Sequence, residues 1–149
     1  MIRRAEANDA HALSELLTQL GYPSSASEIS ARLDTLAKYE GAIALVAING
    51  FGEVVGLVTG HLVPSIHDNQ PVAWLTTLVV LEDARGAGIG SSLGGQIEQW
   101  AVKSGAKRLA VTSATHREEA HAFYEKRDYD RTGVRFGKRL SPDPPAKPA

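Results

Sequence analysis

The chain has 149 residues, of which 43% are hydrophobic and 22% charged, with a formal net charge of −1 at pH 7 and no cysteine. That length and composition suit one globular domain with a core of its own, and the near-zero charge offers no general attraction to nucleic acid or anionic lipid. The missing cysteines exclude disulfides, cysteine-ligated zinc and a cysteine-linked covalent intermediate, and they are compatible with the cytoplasm. No apolar run approaches the ~20 residues that a membrane span needs, and Met1-Ile2-Arg3-Arg4-Ala5-Glu6 is not followed by the apolar stretch of a signal peptide.

In chain order, Ile2 to Ala5 reads as a short first strand. Asn8 or Asp9 caps a helix whose Leu13, Leu16, Leu17 and Leu20 share one face, and Gly21 with Pro23 ends it. A second helix is expected from about Ser27 to Ala37, with Ser27 as cap and Ile29, Leu33 and Leu36 turned inward. Ile43 to Ile48 is a strand, Asn49-Gly50-Phe51-Gly52 a hairpin connection, and Val54 to Val63 its partner. A polar loop spans Pro64 to Pro71. The strand from Val72 to Leu81 then runs into Arg85-Gly86-Ala87-Gly88-Ile89-Gly90, and a third helix follows with Ile89, Leu93, Ile97, Trp100 and Ala101 on one face. Gly94 and Gly95 inside that helix cost roughly 1 kcal/mol each against alanine, and close packing on a sheet would account for them. Gly105 ends the helix. Leu109 to Thr112 is a strand, and Glu118 to Arg127 a helix burying Ala120, Phe123 and Tyr124. Gly133 to Leu140 is a last strand. Four of the nine residues from Ser141 on are proline, which predicts a disordered tail after a single domain of residues 1–140. The order β-α-α-β-β-β-α-β-α-β describes an α/β fold with a mixed sheet.

The glycine turn carries most of the chemistry. The first N–H groups of a helix have no partner within it, and the helix dipole adds about half a positive charge at that end. Glycines let backbone approach an anion and adopt positive φ, and Arg85 adds a permanent cation. A strand, a glycine-rich turn and a helix in that order make a phosphate cradle. It is not a P-loop, because the Lys and the spacing are missing. Its G-x-G-x-G spacing and the strands before it also fit poorly with a dinucleotide fingerprint.

Leu78-x-Val80 followed by Arg85-Gly86-x-Gly88-Ile89-Gly90 resembles motif A of the GNAT N-acetyltransferases, and Ala120-x-x-x-Tyr124 resembles their motif B. The resemblance runs from Ile2-Arg3-x-Ala5 to Phe136. It implies a mixed, mostly antiparallel sheet with helices on both faces and splayed central strands. It also implies acetyl-CoA as co-substrate, with the pantetheine arm along the backbone of Leu78, Val79 and Val80. The pyrophosphate would rest on the N–H groups of Arg85, Gly86, Ala87, Gly88, Ile89, Gly90 and Ser91. Glu53-Val54-Val55-Gly56, His61-Leu62, Ala120-His121-x-Phe123-Tyr124 and Arg135-Phe136-x-Lys138-x-Leu140 are similar to aminoalkylphosphonate N-acetyltransferases, which act on small primary amines bearing an acidic group.

An amine must be neutral to attack a thioester, and an alkylammonium with pKa near 10 costs roughly 4 kcal/mol to deprotonate at neutral pH. On its own Tyr124 reads as a core aromatic; the motif match makes it the donor to the leaving sulfur. Many relatives carry Glu or Asp on the strand where this chain has Thr76 and Thr77, so those two residues are substrate-site candidates and not bases. The proton would leave through water or a histidine. His61 ranks first because its strand is expected to reach the cleft, ahead of His67, His116 and His121. His61 and His67 with Asp68 are only weakly indicative of a metal, and no metal site is expected. Asp128 replaces a common glycine at a helix end, where Asp tolerates the left-handed conformation. Lys103, Lys107 and Arg108 form a solvated basic face that could also meet the 3′-phosphate of CoA. The expected partner is a small-molecule amine, with no nucleic acid or membrane, and a homodimer is the one assembly considered. An aminoglycoside, a protein amine, or a non-catalytic CoA-binding sensor are the alternative readings.

Overall fold

The computed structural model describes residues 1–142, and the expectation of a disordered tail falls largely on residues outside this range. The chain divides into two compact units, one of residues 1–111 and one from Thr112 onward. Among the described residues no helix is long and apolar enough to cross a membrane.

The first unit is an open five-stranded sheet in the order β1-β2-β3-β4-β5, formed by Ile2–Arg4, Ala42–Ile48, Val54–Val63, Val72–Val80 and Leu109–Val111. The first four pair antiparallel, and β5 pairs parallel with β4. The β2–β3 hairpin closes as expected: the Asn49 side-chain oxygen accepts from the N–H groups of Phe51 and Glu53, both at 2.9 Å, and Gly52 has φ +82°.

Helices cover both faces. Helix α1 (Ala10–Leu20) and α2 (Ala26–Ala37) lie on one, where Leu13, Leu16, Ile29, Val46, Leu57 and Val79 share a core. Each fully buried leucine there contributes roughly 1.5–3 kcal/mol. Helix α3 (Ile89–Lys103) lies on the other face with Leu93 and Ile97 fully buried. Two glycines of the sheet lie in close approach to this helix. A Cβ on Gly56 would stand 2.9 Å from Leu93 Cδ1, and one on Gly60 would stand 2.7 Å from Ile97 Cδ1 and 2.8 Å from the Trp100 ring. Gly94 is buried as well.

Two caps differ from expectation. Ser25, not Ser27, caps α2: its hydroxyl accepts from Glu28 N–H at 3.1 Å, and Glu28 Oε1 accepts from Ser25 N–H at 3.0 Å. This reciprocal pair requires the S-x-x-E spacing, which only Ser25 has. Asp9 precedes α1 but caps it with no side-chain bond. Its carboxylate instead accepts from both Arg3 terminal nitrogens, at 2.8 and 2.9 Å, and from Glu6 N–H at 2.7 Å. The bidentate pair fastens β1 to the start of α1. Gly21, at φ +107°, ends α1 as predicted.

In the second unit, α4 spans Glu118–Lys126. Ala120, Phe123 and Tyr124, expected in a core, are half-buried, and α4 has no fully buried residue. Its aromatic residues pack on one another: Tyr124 meets Phe123 and Tyr129 edge-on, each with ring centroids 5.4 Å apart. Asp128 takes φ +67°, the left-handed turn expected of it. The predicted last strand, Gly133 to Leu140, does not form. Val134, Phe136 and Leu140 are 81–92% exposed. A strand needs a ladder partner, and this unit has no other strand among the described residues.

Candidate active site

The site is built on the edge of β4. Strand β5 pairs only with Ala73, Trp74 and Leu75, so β4 continues for five more residues, Thr76 to Val80, without it. The departure coincides with a bulge. Thr59 faces Thr77 and Gly60 faces Leu75, which leaves Thr76 as the extra residue. The Thr76 hydroxyl lies 2.7 Å from that of Thr59.

Beyond the bulge the backbone alternates. Leu81 N–H donates to Val55 C=O at 2.9 Å, which fixes residues 77, 79 and 81 as those bonded to β3. Leu78 and Val80 therefore turn their N–H and C=O groups to the open side. Val79 pairs with Leu57, and its side chain is 5% exposed. Of the three residues expected to line a pantetheine arm, two present main-chain groups outward and the third faces the sheet.

The Val80 carbonyl is already engaged. It accepts from Gln19 Nε2 at 2.8 Å and from Arg85 Nε at 3.2 Å. The guanidinium of Arg85 thus folds back on the strand through Nε. The chain then makes a single 3-10 turn, Glu82–Ala84, and Arg85 returns to extended backbone.

Gly86 and Gly88 follow at φ +87° and +81°, conformations that disfavour any side chain. A Cβ at either would meet nothing within 4 Å, so the backbone here borders open space. Gly88 is the N-cap of α3 and offers no side chain to it. The first helical bond is Ser92 N–H to Gly88 C=O at 3.0 Å, leaving the N–H groups of Ile89, Gly90 and Ser91 without helical partners. Arg85, Gly86, Ala87 and Gly88 are all exposed. Exposed positive-φ glycines at an uncapped helix start are what a phosphate cradle requires, and these residues fit a pyrophosphate on that ground.

His61 stands on β3 opposite Trp74, toward the beginning of β4, where its ring meets Tyr39 edge-on with centroids 6.1 Å apart. It is half-buried on the face away from Gly60 and α3, as a strand-end histidine would be. His67 Nδ1 is 3.4 Å from the Ser65 hydroxyl, and His121 Nε2 is 2.9 Å from Ala114 C=O. Among the described residues no three His, Asp or Glu side chains gather as a metal site. Lys103, Lys107 and Arg108 are exposed.

In the second unit, burial pushes the Tyr124 phenol above its ordinary pKa, and the Arg117 charge opposes that rise. A phenol is already protonated, and so a donor, at neutral pH, and the rise makes it a weaker acid.

Two polar features of the first unit had no signal in the sequence. Gln19 is one of several polar residues on the outer side of α1, and nothing in its spacing points to β4. The Thr59–Thr76 contact depends on a bulge that strand patterning cannot locate.

The model of the acetyltransferase (GNAT) family matches residues 10–129. An aminoalkylphosphonate N-acetyltransferase of Salmonella typhimurium is 35% identical over 89 residues, which are 60% of this chain and 58% of that protein. An aminoglycoside N(6′)-acetyltransferase type 1 of Stenotrophomonas maltophilia is 29% identical over 137 residues, covering 88% of this chain and 86% of that one. Among solved structures, glucosamine-6-phosphate N-acetyltransferase from Arabidopsis thaliana superposes with a TM-score of 0.84 at 19% identity, covering 95% of this chain and 98% of that chain. An aminoglycoside antibiotic 6′-N-acetyltransferase from Acinetobacter haemolyticus does so with a TM-score of 0.77 at 20% identity, covering 95% and 99%. At such identities these structures show the shared fold.

Proposed function

The chain belongs to the acetyltransferase (GNAT) family, and on that premise we propose that it transfers the acetyl group of acetyl-CoA directly to the primary amine of a small molecule. One observation carries the reading. The open edge of β4 leads straight into two exposed positive-φ glycines and the uncapped start of α3. An amide-bearing arm is read by such an edge as an added strand, and a pyrophosphate by such a turn.

Acetyl-CoA, when bound, supplies the thioester. The N–H and C=O of Leu78 and the N–H of Val80 would pair with the pantetheine amides. The N–H groups of Gly86 to Ser91 would hold the pyrophosphate, with the terminal nitrogens of Arg85 beside them. The Leu78 or Val80 N–H is also suited to stabilise charge developing on the thioester oxygen. The Tyr124 hydroxyl would donate to the departing sulfur, a role that rests on the A-x-x-x-Y motif. Its raised pKa supports a hydrogen bond at the sulfur over full proton transfer. Thr76 and Thr77 would border the acceptor, and neither is a base near pH 7. His61 remains the candidate to pass a proton to water. Direct transfer is favoured because the chain has no cysteine to carry an acyl group. The same absence favours residence in the cytoplasm.

The acceptor proposed first is a small amine bearing an acidic group, as the Salmonella relative's name and the matching segments suggest. The aminoglycoside reading comes second and is favoured by the longer but weaker match. A panel of aminoalkylphosphonates, aminoglycosides, polyamines and peptides, with acetyl-CoA and a thiol reagent, separates them. Thiol release with an aminoalkylphosphonate and an intact N-acetyl product is expected. Release confined to aminoglycosides or peptides replaces the acceptor, and no release with any amine from a chain that binds CoA indicates a sensor.

A further inference from the structure

We infer that Gln19 is a positioning residue for the CoA site: its side-chain amide ends the open edge of β4 and anchors the start of the phosphate turn. Gln19 lies in the last turn of α1, remote in sequence from both features it joins. Its Nε2 donates to Val80 C=O at 2.8 Å, and its Oε1 accepts from Glu82 N–H at 2.9 Å. In a parallel ladder, one residue donates to the C=O of residue i and accepts from the N–H of residue i+2 of its neighbour. The Gln19 carboxamide makes that pair of bonds with Val80 and Glu82, so it stands in for one residue of a missing strand.

The placement has two consequences. Together with Arg85 Nε, the Gln19 amide withdraws Val80 C=O from the open edge, so at this end of β4 an arm is offered Leu78 and the Val80 N–H. That fixes where the arm must leave the strand. The same amide holds Glu82, the first residue of the 3-10 turn that delivers Arg85, Gly86 and Gly88. The anchor is itself held. Leu13 and Leu16 of α1 share a core with Val79 of β4, and Gly21 closes the helix one residue after Leu20.

Gln19 is exposed. A solvent-exposed amide contributes little to folding, so its loss should read out at the CoA site and not in global stability. The inference rests on the acetyl-CoA reading above.

The test is Gln19→Leu, with Gln19→Glu as the conservative variant that keeps the acceptor for Glu82 N–H. For Gln19→Leu the KM for acetyl-CoA should rise about 10-fold, with kcat and the acceptor KM within about twofold of wild type. Gln19→Glu should lose at least as much, because its carboxylate cannot donate to Val80 C=O and adds negative charge beside the pyrophosphate site. Calorimetric titration of CoA, which needs no acceptor, should show the same loss of affinity. An unchanged CoA affinity in a folded Gln19→Leu protein overturns the inference, as does a fall in kcat at constant KM. If Gln19→Leu does not fold, Gln19→Glu decides by the same two criteria. If wild type binds no CoA, the acetyl-CoA reading itself fails. A wild type that binds CoA but acetylates nothing leaves the titration to judge Gln19 alone.

Discussion

Gly88 has the most sharply constrained role at the residue scale. Its φ of +81° belongs to glycine, and a side chain there would enter the space proposed for the pyrophosphate. Gly88→Glu should abolish acetyl-CoA binding while the far-ultraviolet circular dichroism stays native, because the position is exposed and touches no core residue. Calorimetry showing wild-type affinity in the folded variant would remove the cradle. Tyr124→Phe keeps the ring and loses the donor, so kcat should fall roughly 10- to 1000-fold with little change in melting temperature. Full turnover in that variant would return Tyr124 to a packing role. Asp9 has a different task. The Arg3 guanidinium, helped by Glu6 N–H, holds its carboxyl below the usual range against the opposing effect of burial. The unfolded chain titrates near 3.9, so the contribution of Asp9 to stability is whole above that pH and is lost as the pH falls through the lower folded value. Asp9→Asn should cost about 1–3 kcal/mol at pH 7. Denaturation in urea should show that cost shrinking on acidification, and a cost independent of pH down to 2 would mean that the ion pair contributes nothing.

At the scale of elements, the sheet and α3 meet through glycines of β3. Gly60→Val would drive methyl groups into Ile97 and the Trp100 ring, where a Cβ alone stands within 2.8 Å. We expect a loss of about 2 kcal/mol, or roughly 4–8 °C in melting temperature. Gly50→Ala, in the hairpin where a Cβ meets nothing within 4 Å, should be near neutral. Equal effects from the two substitutions would contradict close packing at Gly60. These glycines were invisible in the sequence, because a strand rich in Val, Leu and Gly reads the same whether its glycines lie under a helix or not. By contrast α1, α2, the β2–β3 hairpin and α3 were legible. Each has an apolar period that only one face can satisfy, and turn or cap residues mark its ends. The S-x-x-E box at Ser25 was also readable, although Ser27 is the cap nearer the apolar run. The segment from Gly133 to Leu140 shows the limit of such patterns. Alternating Val134 and Phe136 describe a strand's side chains, but a strand also needs a neighbour, and no local pattern supplies one.

At the scale of the molecule, the family was legible because its signal is a backbone device. Arg85-Gly86-x-Gly88-Ile89-Gly90 must be a tight turn at a helix start whatever surrounds it, and the fold and the family match agree with that reading. The acceptor site was not legible. Acceptor recognition depends on side chains gathered from distant elements, and of the two threonines expected to border the acceptor, Thr76 is drawn out by a bulge to bond Thr59. Acetyl-CoA is proposed to lie along the outer edge of β4 and to end on the start of α3. The most direct measurement is a titration of acetyl-CoA followed through the backbone amide resonances. The N–H signals of Leu78, Val80 and Gly86 to Ser91 should move together along one binding curve, while Val79 N–H, bonded to β3, moves far less. Saturable shifts that spare Leu78, Val80 and the glycine turn, or no shift at millimolar acetyl-CoA, would rule out that placement.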